Sequence, residues 1–142
     1  MADTASQSNT KEGKLVVLAG EALTGMEGRL VKLSNSSGTP VAILPNDVAD
    51  EAVYILLEGA ASGENVTIEP LTPGKQFRAY LDGTCVTGDQ LVLAAINGTK
   101  DGKLVELPAT ADSYFRVGLA EQSGVDGQLV LFRYLPKDVT VS

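Results

Sequence analysis

Four times the chain places an acidic residue, a glycine and a polar residue directly before Leu-Val. The stretches are Glu12-Gly13-Lys14-Leu15-Val16, Glu27-Gly28-Arg29-Leu30-Val31, Asp101-Gly102-Lys103-Leu104-Val105 and Asp126-Gly127-Gln128-Leu129-Val130. Gly88-Asp89-Gln90-Leu91-Val92 is a variant. An acidic residue and a glycine make a turn, because glycine takes a positive φ at little cost, and Leu-Val then enters a strand. The four are spaced by 15, 74 and 25 residues, which excludes a fixed-period repeat. The pattern reads as one turn-to-strand solution used repeatedly, with duplication of a half-domain as the alternative.

The rest of the chain has the same texture. Short apolar runs are cut by Gly, Pro, Asn and Asp, which predicts many short strands. Ten are read: Leu15–Ala19, Arg29–Leu33, Val41–Leu44, Val53–Leu57, Asn65–Leu71, Gln76–Leu81, Gln90–Ile96, Lys103–Leu107, Tyr114–Ala120 and Gln128–Leu135. In the fifth, Val66, Ile68 and Pro70 alternate with Thr67 and Glu69. Val53-Tyr54-Ile55-Leu56-Leu57 is apolar on both faces and belongs inside. Asn97-Gly98 and Lys100-Asp101-Gly102 fit a hairpin loop. No segment sustains a 3.6 periodicity, and Pro45–Ala52 holds at most one helical turn, with Asn46 or Asp47 as its cap. The fold class is therefore all-β, a small barrel or sandwich of about 8–10 strands. Residues 1–13 are small, polar and non-periodic and read as a flexible arm. Residues 14–142 read as a single β domain.

Composition excludes several function classes. Eighteen acidic residues outnumber 11 basic ones, for a net charge of −7. The basic residues are scattered singly, so no phosphate-tracking stripe forms and nucleic acid is not the expected partner. The longest apolar runs are five or six residues, too short for a bilayer span of about 20, so no membrane partner is expected either. The polar N-terminus has no apolar signal region, and synthesis is expected in a reducing cytoplasm. The triplets at Asn35, Asn65 and Asn97 then read as unmodified.

Catalytic constellations are sparse. The chain has no histidine, which removes the usual general base and the usual zinc ligand. Its one cysteine, Cys85, has no imidazole to activate it and reads as a packed thiol. Asp82, Asp89, Asp101 and Asp126 sit in predicted turns, where turn chemistry explains them. Pro73-Gly74-Lys75-Gln76 lacks the rest of a phosphate loop, and Asp47, Asp50 and Glu51 lack Ca²⁺-loop spacing. Phe77, Tyr80, Tyr114, Phe115, Phe132 and Tyr134 read as core and interface packing. These residues predict no enzyme, no cofactor and no metal site.

The order of elements adds a resemblance. Arg29 to Leu44 reads as strand, small-polar turn and a Val-Ala-Ile-Leu strand. Gly59-Ala-Ala-Ser-Gly-Glu-Asn-Val66-Thr-Ile68 follows, then Leu81-Asp-Gly-Thr-Cys-Val-Thr-Gly88-Asp89-Gln-Leu-Val92. Phe115-Arg-Val-Gly118-Leu-Ala120-Glu and Gly127-Gln-Leu-Val-Leu-Phe-Arg-Tyr-Leu complete the series. Over residues 14–136 this resembles the decoration, or cement, proteins of tailed-phage heads. The resemblance rests on texture and order rather than on one diagnostic motif.

It implies a structural virion protein on the outer capsid surface, bound to the major capsid protein, often as a homotrimer, that stabilises the shell. It also implies a capsid-contacting arm, here Thr4, Ser6, Ser8, Thr10 and Lys11, with Lys14 at its base. The strands apolar on both faces also suggest more buried surface than one sandwich needs, which points to an oligomer. Two alternatives stand beside it. One is a virion-surface adhesin or other β binding module. The other is a barrel-sandwich carrier domain, for which Lys75 is the only candidate attachment lysine.

Overall fold

The computed structural model describes residues 13–142. Ten strands form where the apolar runs lie, and there is no helix among the described residues. The glycines of the repeated turn explain the strand starts. Gly13, Gly28, Gly88, Gly102 and Gly127 all have φ between +82° and +97°, a region that other residues enter at a cost of about 1–2 kcal/mol.

The first five strands are β1 (Leu15–Ala19), β2 (Leu30–Ser36), β3 (Thr39–Ile43), β4 (Tyr54–Glu58) and β5 (Asn65–Pro70). They close into a barrel in the order β1-β3-β2-β4-β5. β1 is parallel to β3 and antiparallel to β5, and the β1–β5 pairing closes the ring. Ser37 and Gly38, at φ +50° and +87°, turn β2 into β3. Two successive positive φ values match the twist of the flanking strands, so β2 runs to Ser36, beyond the Leu33 end expected from sequence.

The second five are β6 (Gln76–Tyr80), β7 (Gln90–Leu93), β8 (Leu104–Glu106), β9 (Asp112–Ala120) and β10 (Leu129–Val141), in the order β6-β10-β9-β7-β8. β10 is longer than the sequence suggested. Pro136 reads as a strand stop, yet the register shifts between Tyr134 and Lys137 and pairing with β9 resumes as far as Val141. A bulge tolerates the missing proline N–H.

Two cores result. Inside the barrel lie Ala19, Leu23, Val31, Leu56, Val66 and Ile68 with their neighbours. The second core joins inward side chains of β6–β10, such as Phe132, Leu91 and Val117, to Leu30, Ala52, Ile55 and Leu71 from the outside of the barrel. β4 is the shared wall. Tyr54 and Leu56 point into the barrel, while Val53, Ile55 and Leu57 point at the second sheet. This accounts for a strand apolar on both faces within one chain, so that pattern no longer argues for an oligomer.

Pro45–Ala52 makes turns, not a helix. Asp47 Oδ1 accepts the Ala49 N–H at 2.8 Å. Asp50 Oδ2 accepts the Asn46 N–H at 2.9 Å and the Lys32 ammonium at 2.8 Å. Side-chain acceptors compete here with helical hydrogen bonding. Burial pushes the Asp50 carboxyl up, but Lys32 and the amides of Asn46 and Asp47 outweigh it and hold its pKa below the usual value.

Candidate interaction surfaces

The residues that chemistry would need are occupied by the fold. Cys85 is buried in the second core, with Sγ 3.6 Å from the Gln122 carbonyl. Burial raises its pKa, and the charges of Asp89 and Glu106 add to the rise. That keeps it a thiol at neutral pH. The turn aspartates accept main-chain N–H groups. Asp101 Oδ1 takes those of Asn97 and Gly98, Asp126 Oδ1 that of Gly83, and Asp89 Oδ2 that of Val86. Asp82 instead pairs with Lys100 at 3.3 Å. No group of three or more possible metal-ligating side chains occurs among the described residues.

The Pro73-Gly74-Lys75 turn is likewise consumed. The Gly74 N–H donates to the Tyr134 carbonyl, the Lys75 N–H to the Thr72 carbonyl, and the Arg133 guanidinium to the Gly74 carbonyl at 2.6 Å. The Gly74 and Lys75 amides are thus both spent within the fold. Lys75 sits on the link between β5 and β6, which do not pair. It is therefore not at a hairpin tip, as the carrier reading needs. Of the six aromatics singled out in the sequence, Tyr114, Phe115, Phe132 and Tyr134 are buried. Phe77 packs against Phe132 with ring centroids 6.3 Å apart. They build core rather than a sugar-stacking platform.

The surface holds two features suited to contact. The first is apolar exposure. Val16 is 65% exposed on β1 with Leu18 two residues on, and both point away from the barrel core. Val86 at 60% and Val125 at 57% lie on adjoining loops, tied by the Cys85–Gly124 bridge and by the Thr87 N–H on Ser123 Oγ. Sequence reading missed both pairs, because Val16 and Val86 carry the same local signal as core valines.

The second feature is an open groove of about 530 Å³ lined by Gly13, Glu69, Pro70, Thr72, Lys75, Gln76 and Phe77. β6 forms one wall. It is a sheet edge hydrogen-bonded to β10, with the Tyr80 N–H turned the other way onto the Gly28 carbonyl. Alternation along the strand aims the main-chain groups of Arg78 and Gln76 to that same open side.

Beside β6, Gln76 Nε2 donates to Glu121 Oε1 at 2.6 Å. Arg133 grips the same carboxylate through Nε at 2.8 Å and Nη2 at 3.2 Å. Arg133 and then Gln76 hold the Glu121 pKa below the usual range. Asp89 and Glu106 form the opposite case. Their carboxyl groups share a hydrogen bond and repel one another, so the Glu106 pKa is raised.

Of the arm residues named from sequence, Thr4, Ser6, Ser8, Thr10 and Lys11 lie outside the described residues. Lys14 is exposed directly before β1, next in the chain to Gly13 of the groove lining. No described helix is long and apolar enough to cross a membrane.

No protein-family model matches the chain. No curated protein sequence matches it. Among solved structures it is similar to the head fiber gp8.5 N base of bacteriophage phi29. The TM-score is 0.61 and the sequence identity 15%, over 85% of this chain and 92% of that one. At that identity the likeness is one of fold. The all-β fold read from the sequence is thus shared, over most of both chains, with a protein of a phage head.

Proposed function

We propose that this chain is a structural protein of a phage head that binds the outer surface of the shell and stabilises it, as decoration proteins do. The observation that carries the reading is the shared fold with the phi29 head fiber base over nearly the whole of both chains. The sequence resemblance to decoration proteins points the same way. A net charge of −7 opposes contact with packaged DNA and favours the outside. The partner is the major capsid protein, and the chain acts as a binding protein without catalysis.

The capsid-contacting arm, Thr4 to Lys11 with Lys14, belongs to the same proposal. Deleting residues 2–13 should leave folding intact and weaken attachment, and equal attachment by the truncated protein would remove the arm from the proposal. A homotrimer is carried by the resemblance to decoration proteins. Sedimentation of the free protein and symmetry averaging of bound density test it, and isolated monomers in both would remove it.

The neighbour's description as a fiber base supports a second reading, in which the chain anchors on the shell without reinforcing it. One experiment separates the two. Heads lacking the protein are mixed with it, imaged for added outer density, and compared for heat-induced DNA release. Added density with delayed release supports stabilisation. Added density with unchanged release favours a passive anchor, and no added density overturns both.

A further inference from the structure

The two halves of the chain share one strand order. In the barrel the ring runs first, third, second, fourth and fifth strand and back to the first, with the first parallel to the third. In the second sheet a bridge between Leu81, the residue after β6, and Leu104 sets the chain there parallel to β8. The sheet is open along β6 itself, but through that one bridge it is traced as a ring of β6, β8, β7, β9, β10 and back to β6. Counted from β6, that is the same order with the same single parallel seam.

The registers also agree at every seam. The parallel pair Ala19–Ala42 corresponds to Leu81–Leu104. Leu33–Ala42 corresponds to Leu93–Leu104, and Val31–Tyr54 to Leu91–Gly118. Leu56–Ile68 corresponds to Ala120–Phe132, and Leu15–Ile68 to Phe77–Phe132. A ring of strands closes on itself only with a definite total stagger. One set of equivalences satisfies all five seams, so the two rings have equal stagger.

The turns give independent support. The Gly28 N–H donates to the Leu56 carbonyl at 2.9 Å, and the Gly88 N–H to the Ala120 carbonyl at 2.8 Å. Gly63 donates to Ala19 at 2.8 Å, and Gly127 to Leu81 at 2.9 Å. Gly20 donates to Ala42 at 2.8 Å, where Asp82 donates to Leu104 at 2.7 Å. Gly63 and Gly127 take φ values of +84° and +82°. The connection between fourth and fifth strands obeys one hydrogen-bond scheme in both halves, down to Glu64 N–H on the Ala61 carbonyl and Gln128 N–H on that of Val125.

We infer that the chain is a tandem duplication of one five-stranded barrel unit of about sixty residues, joined through residues 71–75. The sequence conceals it because the spacing between equivalents drifts. Ala19 and Leu81 are 62 apart, Leu33 and Leu93 are 60, and Ile68 and Phe132 are 64. Among the repeated acidic–Gly–Leu–Val turns only Gly28 and Gly88 of the variant are equivalent, and Asp126-Gly127 answers to Ser62-Gly63. The copies have diverged in one respect that matters for stability. The first has a core of its own, whereas the core of the second includes Leu30, Ile55 and Leu71 of the first. The ribbon of Asp112–Arg116 with Lys137–Val141 has no partner strand pair in the first copy and is an addition to the shared unit.

The test uses the full chain, isotope-labelled, and reads couplings across hydrogen bonds by NMR. The expected result is matched pairs, Gly28–Leu56 with Gly88–Ala120, Gly63–Ala19 with Gly127–Leu81, and Gly20–Ala42 with Asp82–Leu104. A one-residue slip in any seam of one half alone overturns the duplication. A second arm exchanges Ala61-Ser62-Gly63-Glu64 with Val125-Asp126-Gly127-Gln128. The exchanged chain should keep every coupling, while the same exchange with each glycine moved one place should lose those of Gly63 and Gly127. Loss in the simple exchange shows the positions are not equivalent and sinks the inference.

Discussion

Ile55 and Leu56, neighbours in β4, are both buried but serve different cores: Leu56 fills the barrel and Ile55 the space between barrel and second sheet. Strand alternation sends consecutive side chains to opposite faces. One strand thus lines both cores, with Leu30 and Leu71 of the first half joining Ile55 against the second sheet.

Truncating each residue should therefore cost similar stability with different footprints. Leu56→Ala and Ile55→Ala should each destabilise by about 2–5 kcal/mol. In native-state hydrogen exchange, Leu56→Ala should deprotect β1 and β5 first, and Ile55→Ala should deprotect β6–β10 first. The same order of loss in both variants would show that the two cores do not behave separately.

Two glycines should differ in cost for separate physical reasons. A methyl group at Gly118 would stand 1.9 Å from the Arg133 carbonyl oxygen, while one at Gly127 meets nothing within 4 Å but must hold φ at +82°. Gly127→Ala should cost about 1–2 kcal/mol, the price of left-handed backbone. Gly118→Ala must push β10 off β9 and should cost about 3 kcal/mol or more, at the upper end of overpacking. Urea unfolding of the two variants reads the difference directly.

Glu106 should make the protein less stable as pH rises. Its folded pKa is raised by the hydrogen bond to Asp89 and by the charge of Asp89. A raised value contributes stability that is whole below the unfolded pKa, near 4.5, and is lost as pH climbs through the folded value. Glu106→Gln should raise the midpoint of thermal unfolding at pH 7 and flatten the pH profile just above 4.5. Asp50 and Glu121 have lowered values and act with the opposite sign, losing their contribution as pH falls through the folded values. A Glu106→Gln protein no more stable at pH 7 than its parent would contradict the reading.

Cys85 should be slow to react. Its burial and raised pKa leave little thiolate. A thiol reagent at pH 8 should modify the native chain at least about tenfold more slowly than the urea-unfolded chain. Equal rates would mean that Cys85 is reachable in the native state.

Amino-acid order alone was enough to place all ten strands, because turn glycines and short apolar runs act within a few residues of themselves. It also assigned Asp89, Asp101 and Asp126 to turns, since each serves an amide close in sequence or on an adjoining loop. It did not reveal which face of Val53–Leu57 meets which core, or that the long hairpin of β9 and β10 continues past Pro136. Those depend on partners far along the chain: Ile55 is buried in a core shared with Phe115 and Phe132, and Lys137 is held by pairing with Arg116. Exposure at Val16 and Val86 was invisible for the same reason, because a valine in a strand or turn reads alike whether or not another element covers it. The equivalence of the halves was settled only by tertiary structure. Pairing conserves hydrogen-bond geometry between backbones, and that geometry constrains which side chain follows only where a glycine φ or a close approach demands it.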